Sequence, residues 1–139
     1  MPVPSSKKPI ALVEDDPLMG SLVVQMLGLH GLPADHYQNG ASFLKSSALL
    51  GYETAILDLS LPDIDGFELI SKLADVAPHL DLLLMSGRGH ATLDSARLVA
   101  EGLGHTVIGT LNKPFSSQEL CMALKLDAAF TDSQRSSLT

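Results

Sequence analysis

Cysteine, positive charge and long apolar runs are all scarce in this chain. Cys121 is the single cysteine in 139 residues, which excludes an intrachain disulfide and fits a reducing, cytoplasmic setting. It falls in a helix-like segment among apolar neighbours and reads as a small buried hydrophobe, not a reactive thiol. Only 9 Lys and Arg stand against 16 Asp and Glu, for a net charge of −7. Beyond Lys7-Lys8 the cations do not cluster, which argues against a surface that neutralises nucleic-acid phosphates. No apolar run approaches the roughly 20 residues of a membrane span, and the stretch from Met1 to Pro9 lacks the apolar core of a signal peptide. The five histidines (His30, His36, His79, His90 and His105) show no metal-ligand spacing and read as surface or loop residues. Nothing offers the Cys/His set that zinc prefers.

The chain is 45% hydrophobic, enough for a single core at a length that suits one domain. Residues 1–8 read as a disordered leader, 9–130 as the folded domain, and 131–139 as a polar tail or the start of a linker. Strand-like and helix-like segments alternate five times. The expected strands are 10–13, 34–37, 54–57, 80–85 and 106–111. The first helix opens at Asp16-Pro17, an N-cap followed by a proline whose missing N–H costs nothing there. Leu18, Leu22, Gln25/Met26 and Leu29 form its mostly apolar stripe, and Gly31 ends it. The second helix is expected over 41–50, ended by Gly51. The third runs from Phe67 to Val76 and stops before Pro78; the fourth covers 91–100. The fifth runs from Ser116, which forms a capping box with Glu119, to about Phe130, with Leu120, Met122, Ala123, Leu124 and Leu126 as its stripe. Met19, Met26, Met85 and Met122 read as core.

The third and fourth strands are continuous apolar runs, the mark of strands covered on both faces of a parallel sheet. Right-handed crossovers then give an α/β fold, a flavodoxin-like, doubly wound five-stranded sheet in the order 2-1-3-4-5. Such sheets bind ligands beyond the carboxyl ends of the strands, at the switch point between strands 1 and 3. Those two ends carry Glu14-Asp15 and Asp58. Ser86 ends the fourth strand, and Lys113-Pro114 follows the fifth.

Three carboxylates in one crevice repel, and at least one pKa should rise, unless a cation intervenes. Carboxylate and carbonyl oxygens suit Mg²⁺ or Mn²⁺. Lys113, its backbone restricted by Pro114, supplies an opposite charge. Ser86 supplies a hydroxyl, and Gly87 and Gly89 leave amides open to an anion. Metal and lysine together would neutralise a transferring phosphoryl group, with Asp58 as its nucleophile. Each feature alone has a plainer reading: a helix start at Glu14-Asp15-Asp16, a turn cap at Asp58, a turn residue at Ser86, a surface lysine at Lys113. Their succession at the ends of successive strands favours a site.

These residues stand in four motifs: Leu12-Val13-Glu14-Asp15-Asp16-Pro17-Leu18-Met19, Leu57-Asp58-Leu59-Ser60-Leu61-Pro62-Asp63-Ile64-Asp65-Gly66, Met85-Ser86-Gly87 and Leu111-Asn112-Lys113-Pro114-Phe115. Through them the chain resembles, over about residues 9–130, the receiver domain of two-component response regulators. The resemblance implies Asp58 as phosphoacceptor, Asp15 as a direct Mg²⁺ ligand, Glu14 as a ligand through water, and the Ser60 backbone carbonyl as a further ligand. It implies Ser86 as a switch hydroxyl and Lys113 as the phosphate's charge partner. A histidine kinase or phosphotransfer protein would donate the phosphoryl group, and the domain would catalyse only its own phosphorylation and dephosphorylation. The face made by the fourth helix, fifth strand and fifth helix would then control an output.

Two departures from the family pattern stand out. The family usually has Tyr or Phe three residues before the lysine, and this chain has Thr110. The stretch from Ser86 to Lys113 is also longer than is common, and its segment 96–115 is similar to receivers attached to EAL-type cyclic-di-GMP phosphodiesterases, which would make such a domain the output partner; the chain is then a lone receiver or a piece of a longer protein. Thr110 also motivates a second class, a receiver-like interaction module not switched by phosphate. A third class, a phosphohydrolase of haloacid-dehalogenase type, wants a second Asp two residues after the nucleophile, where Ser60 stands. Arg88, two residues after Ser86, is expected to overhang the site and modulate water access. No nucleic acid and no membrane is expected to touch this domain.

Overall fold

A computed structural model describes residues 8–124. The expected leader and tail, and the fifth helix from 125 onward, lie outside the described residues. Lys8 lies within them, its Nζ 3.3 Å from Glu53 Oε2.

Five parallel strands form one sheet: β1 (Ile10–Val13), β2 (Ala34–Tyr37), β3 (Thr54–Asp58), β4 (Asp81–Ser86) and β5 (Thr106–Asn112). Their order is β2-β1-β3-β4-β5, as expected from the alternating pattern. The helices between and after them are α1 (Pro17–Gly28), α2 (Gly40–Leu44), α3 (Gly66–Val76), α4 (His90–Gly102) and α5 (Ser117–Ala123). Alternate strand residues point to opposite faces. Ala11, Val13, Ala55, Leu57, Leu82 and Leu84 share one core with Leu69, Ile70 and Leu73 of α3 and Leu93 and Ala96 of α4. Leu12, Ile56, Leu83, Met85 and Leu111 share the other with Val23 and Leu27 of α1 and Leu120 of α5. Both faces of the sheet are covered, which explains the unbroken apolar runs in β3 and β4.

The helix faces depart from expectation in places. Asp16 caps α1, accepting from the Leu18 N–H at 3.0 Å, with Pro17 in the first turn. The buried face of α1, however, is Gly20, Val23 and Leu27. Leu18, Leu22 and Leu29 of the expected stripe are 81%, 46% and 80% exposed. The helix has no charged side chain, so apolar residues occupy two faces and periodicity alone does not choose between them. The second helix is shorter than expected: α2 ends at Leu44, and a 3-10 turn at Leu49–Gly51 follows. Between them the Ser46 hydroxyl accepts from the Ala48 N–H at 3.1 Å, a local bond that competes with helix continuation. On α5 the capping box of Ser116 and Glu119 is present, and Cys121 is buried as expected. Met122 is exposed rather than core, because the buried stripe passes through Leu120 and Cys121. Met85 is fully buried, and Met19 and Met26 pack partly buried against the core.

Two histidines are not the surface or loop residues expected. His36 lies half-buried on β2. His105 is buried between α4 and β5, donating from Nε2 to the Ile70 carbonyl of α3 at 3.1 Å.

Two local features place the strand ends. A Cβ at Gly66 would stand 2.8 Å from Leu59 Cα, so only glycine lets the turn after β3 close this tightly. Between Leu82 and Leu83 the β4–β5 register slips, from Leu82 opposite Val107 to Leu83 opposite Gly109. The slip brings Thr110 opposite Leu84 and Asn112 opposite Ser86, so Lys113 emerges beside the end of β4.

Candidate functional site

The carboxyl ends of β1, β3, β4 and β5 meet on one edge of the sheet. Asp58 is the last residue of β3 and Glu14 the first after β1; they are only 2% and 1% exposed. Asp15, beside Glu14, is half-buried. One carboxylate oxygen from each of Glu14, Asp15 and Asp58 lies within 4.8 Å of the others. Lys113 reaches in from beyond β5, its Nζ donating to Glu14 Oε1 at 2.6 Å and to Asp58 Oδ2 at 3.0 Å. The remaining oxygens are held by backbone: Asp58 Oδ1 accepts from the Ser60 N–H at 2.9 Å, and Glu14 Oε2 accepts from the Asp16 N–H at 3.1 Å.

The electrostatics follow from burial and crowding. Burial pushes the Glu14 carboxyl above its ordinary range; hydrogen bonds from Lys113 and the Asp16 N–H oppose the shift, and the nearby Asp58 charge adds to it. Burial alone would lower Lys113, but its hydrogen bonds to Glu14 and Asp58 more than reverse this and leave it raised. The ammonium is therefore the cation of this site, shared by two carboxylates cut off from water.

Ser86 is wholly buried at the end of β4, one residue beyond the Asp58–Met85 pair. Its hydroxyl accepts from the Arg88 N–H at 2.9 Å, and its carbonyl accepts from the Lys113 N–H at 2.8 Å. Hence the end of β4 and the residue that carries the ammonium are joined through the main chain. Arg88 is exposed, and His90 opens α4, also exposed. Thr110 is half-buried on β5. Of the residues singled out from sequence, Glu14, Asp15, Asp58 and Lys113 gather directly, and Ser60 and Ser86 join them through backbone bonds.

Two supports were not legible in the sequence. His36 donates from Nε2 to the Glu14 carbonyl at 2.7 Å. Asp63, in the loop after Asp58, accepts from the Gly40 and Ala41 N–H groups at 3.1 and 3.0 Å and so ties that loop to the start of α2. Both depend on which strands lie side by side, and no local pattern announces either.

Among the described residues no helix is long and apolar enough to cross a membrane. The response regulator receiver domain model matches residues 10–125. The transcriptional regulatory protein CreB of Escherichia coli is 29% identical over 119 residues, which cover 86% of this chain and 50% of CreB. TcrA of Mycobacterium tuberculosis, another transcriptional regulatory protein, is 31% identical over 116 residues, covering 84% of this chain and 44% of TcrA. The chain thus spans about half the length of these curated relatives. A response regulator from Colwellia psychrerythraea is 32% identical with a TM-score of 0.75, over 89% of this chain and 99% of that one. A CheY-like receiver domain protein from Methanospirillum hungatei JF-1 shares the fold, with a TM-score of 0.70 at 20% identity over 93% of this chain and 99% of that one. The match runs through every strand and through all four strand ends that build the site, and on that ground the chain belongs to the response regulator receiver domains of two-component signalling.

Proposed function

We propose that this domain is a phosphorylation-driven switch with Asp58 as its phosphoacceptor. The observation that carries the reading is the fixing of both Asp58 oxygens, one by the Ser60 N–H and the other by the Lys113 ammonium. A carboxylate so oriented is a poised nucleophile. One of its oxygens forms the bond to phosphorus as the donor's bond to phosphorus breaks, and Lys113 meets the charge on the phosphoryl oxygens. The donor is a histidine kinase or phosphotransfer protein. The domain catalyses only its own phosphorylation and dephosphorylation, in a cytoplasmic setting.

The acidic cluster fits a hard divalent cation: its donors are all oxygens, and they lie close enough to serve one ion. Asp15 and Asp58 would hold Mg²⁺, or Mn²⁺, directly, with Glu14 through water and the Ser60 backbone carbonyl completing the set. The ion would supply positive charge against the phosphoryl oxygens.

Ser86 would turn its hydroxyl toward the phosphoryl group. The hydrogen bond from the Lys113 N–H to the Ser86 carbonyl would then pass the shift from β4 to β5. With Thr110 in the usual aromatic position, the relay runs through this backbone link to the α4–β5–α5 face. Leu98 of α4, Leu103 just after it and Met122 of α5 are exposed and would offer apolar surface to an output protein or domain, a cyclic-di-GMP phosphodiesterase domain among them. Arg88, exposed just past Ser86, would overhang the site and govern water access to the acyl phosphate.

The test is incubation with acetyl phosphate or phosphoramidate and Mg²⁺, read by intact mass. The wild type should gain one phosphoryl group and Asp58→Asn none. No gain in the wild type, or an equal gain in the variant, refutes the reading.

A further inference from the structure

We propose that His36 is a positioning residue for the acidic pair Glu14-Asp15, and that Gly20 exists to make room for it. The inference rests on the reading that this pair serves a divalent cation. Its starting point is the peptide that follows β1. The Glu14 N–H donates to the Tyr37 carbonyl at 3.0 Å, and the Glu14 carbonyl accepts from His36 Nε2 at 2.7 Å. A carbonyl only accepts, so Nε2 carries the proton. Two neighbouring residues of β2 therefore grip Glu14 on both sides of its Cα, one through backbone and one through a side chain.

The second grip matters more for the site. The Glu14 carbonyl belongs to the same planar unit as the Asp15 N–H. Holding that carbonyl fixes the plane from which Asp15 leaves the chain, and with it the base from which its carboxylate reaches into the site. It also fixes the base of Glu14, whose two oxygens are engaged by Lys113 and by the Asp16 N–H. Losing a support of this kind, standing behind the ligands of a metal, typically costs about 10–100-fold in affinity.

Gly20 makes the reach feasible. His36 lies opposite Leu12 in the β1–β2 register, on the face covered by α1. Gly20 is buried in that helix, and a Cβ there would overlap the imidazole ring itself. Sequence pattern alone gives a glycine in the middle of an apolar helix no reason to be there, since it costs helix stability; the ring of His36 supplies the reason.

The experiment uses the full 139-residue chain and two measurements: Mg²⁺ binding by calorimetric titration, and backbone amide hydrogen exchange in metal-free protein. His36→Leu should weaken Mg²⁺ roughly tenfold. It should also speed exchange at the Glu14 and Asp16 amides while β3 and β4 amides stay as in the wild type. His36→Gln carries an N–H at similar reach and should restore both. Gly20→Ala should reproduce the loss, and adding it to His36→Ala, which leaves no side chain beyond Cβ to displace, should bring no further loss. Wild-type affinity and exchange in His36→Leu, additive losses in the pair, or failure of Gln to restore would overturn the proposal. A wild type that binds no Mg²⁺ would sink the metal reading instead, and the exchange data alone would then decide the clamp.

Discussion

Lys113 Nζ stands closer to Glu14 than to Asp58, 2.6 Å against 3.0 Å. One lysine, its side chain 21% exposed, thus serves two carboxylates that are almost wholly withdrawn from water. Without it both would be buried charges with only a backbone N–H each. Breaking a buried pair by removing one partner is far costlier than the pair is worth. The ammonium therefore keeps the site's geometry in the metal-free protein.

Lys113→Met should accordingly destabilise the metal-free protein by about 3 kcal/mol, the low end for a broken buried pair, since the lysine admits some water. Urea unfolding at neutral pH measures it. Adding Glu14→Gln to the variant should recover part of the loss, because one of the orphaned charges disappears. A Lys113→Met protein as stable as the wild type would show that the carboxylates find their own solvation.

The carboxylate crowding also predicts how the protein responds to metal. Asp15→Asn removes one of three negative charges whose oxygens lie within 4.8 Å of one another. Without Mg²⁺ the variant should be at least as stable as the wild type. With Mg²⁺ at a hundredfold excess over its dissociation constant, the wild type should gain about 2.7 kcal/mol and the variant far less. Thermal melts with and without Mg²⁺ decide it; equal gains would remove Asp15 from the ligand set.

Much of this is legible in the order of residues along the chain, and the reason is topological. β1 and β2 begin and end at the expected residues, and β3 runs one residue further, through Asp58. Continuous apolar runs admit few alternatives, and a parallel sheet must put all its carboxyl ends on one edge. Hence Glu14, Asp15, Asp58, Ser86 and Lys113 could be assembled from order alone. What stayed hidden depends on neighbours across the fold. The uncharged helix α1 offers two apolar faces, and only packing on β1 and β2 selects Gly20, Val23 and Leu27. His36 and His105 look like stray polar residues until a carbonyl from another element meets each ring.

Stability at high pH should depend on Tyr52. Its hydroxyl donates to Asp35 Oδ2 at 2.6 Å and lies 2.6 Å from the Tyr37 hydroxyl, which in turn lies 2.8 Å from Ser46 Oγ. Burial pushes the Tyr52 phenol well above its ordinary value, and the bonds to Asp35 and Tyr37 push it further. Lys113 is raised too, where hydrogen bonds to Glu14 and Asp58 outweigh burial. Both groups hold their protons more tightly folded than unfolded. Their contributions are therefore complete below pH about 10 and drain away above it. Tyr52→Phe should lower stability at neutral pH by about 1 kcal/mol and flatten the alkaline decline. Unfolding by urea across a pH series checks both; an unaltered decline would mean that the phenol ionises freely.

Gly66 predicts a cost that falls on the site itself. A Cβ at Gly66 would press 2.8 Å from Leu59 Cα and 2.9 Å from the Leu59 carbonyl. Leu59 cannot yield easily, because its N–H donates to the Met85 carbonyl at 2.9 Å, and it directly follows Asp58. Gly66→Ala should cost about 1–3 kcal/mol as an overpacked contact. It should also slow phosphorylation from acetyl phosphate, since the displaced turn carries Ser60, whose N–H orients Asp58. Gly102→Ala is the control: no atom lies within 4 Å of its added Cβ, and in a helix it should stabilise by about 0.5–1 kcal/mol. Thermal melts and intact-mass time courses on the two variants separate the cases. If both gain stability and phosphorylate at the wild-type rate, the tight turn after β3 plays no part in aiming Asp58.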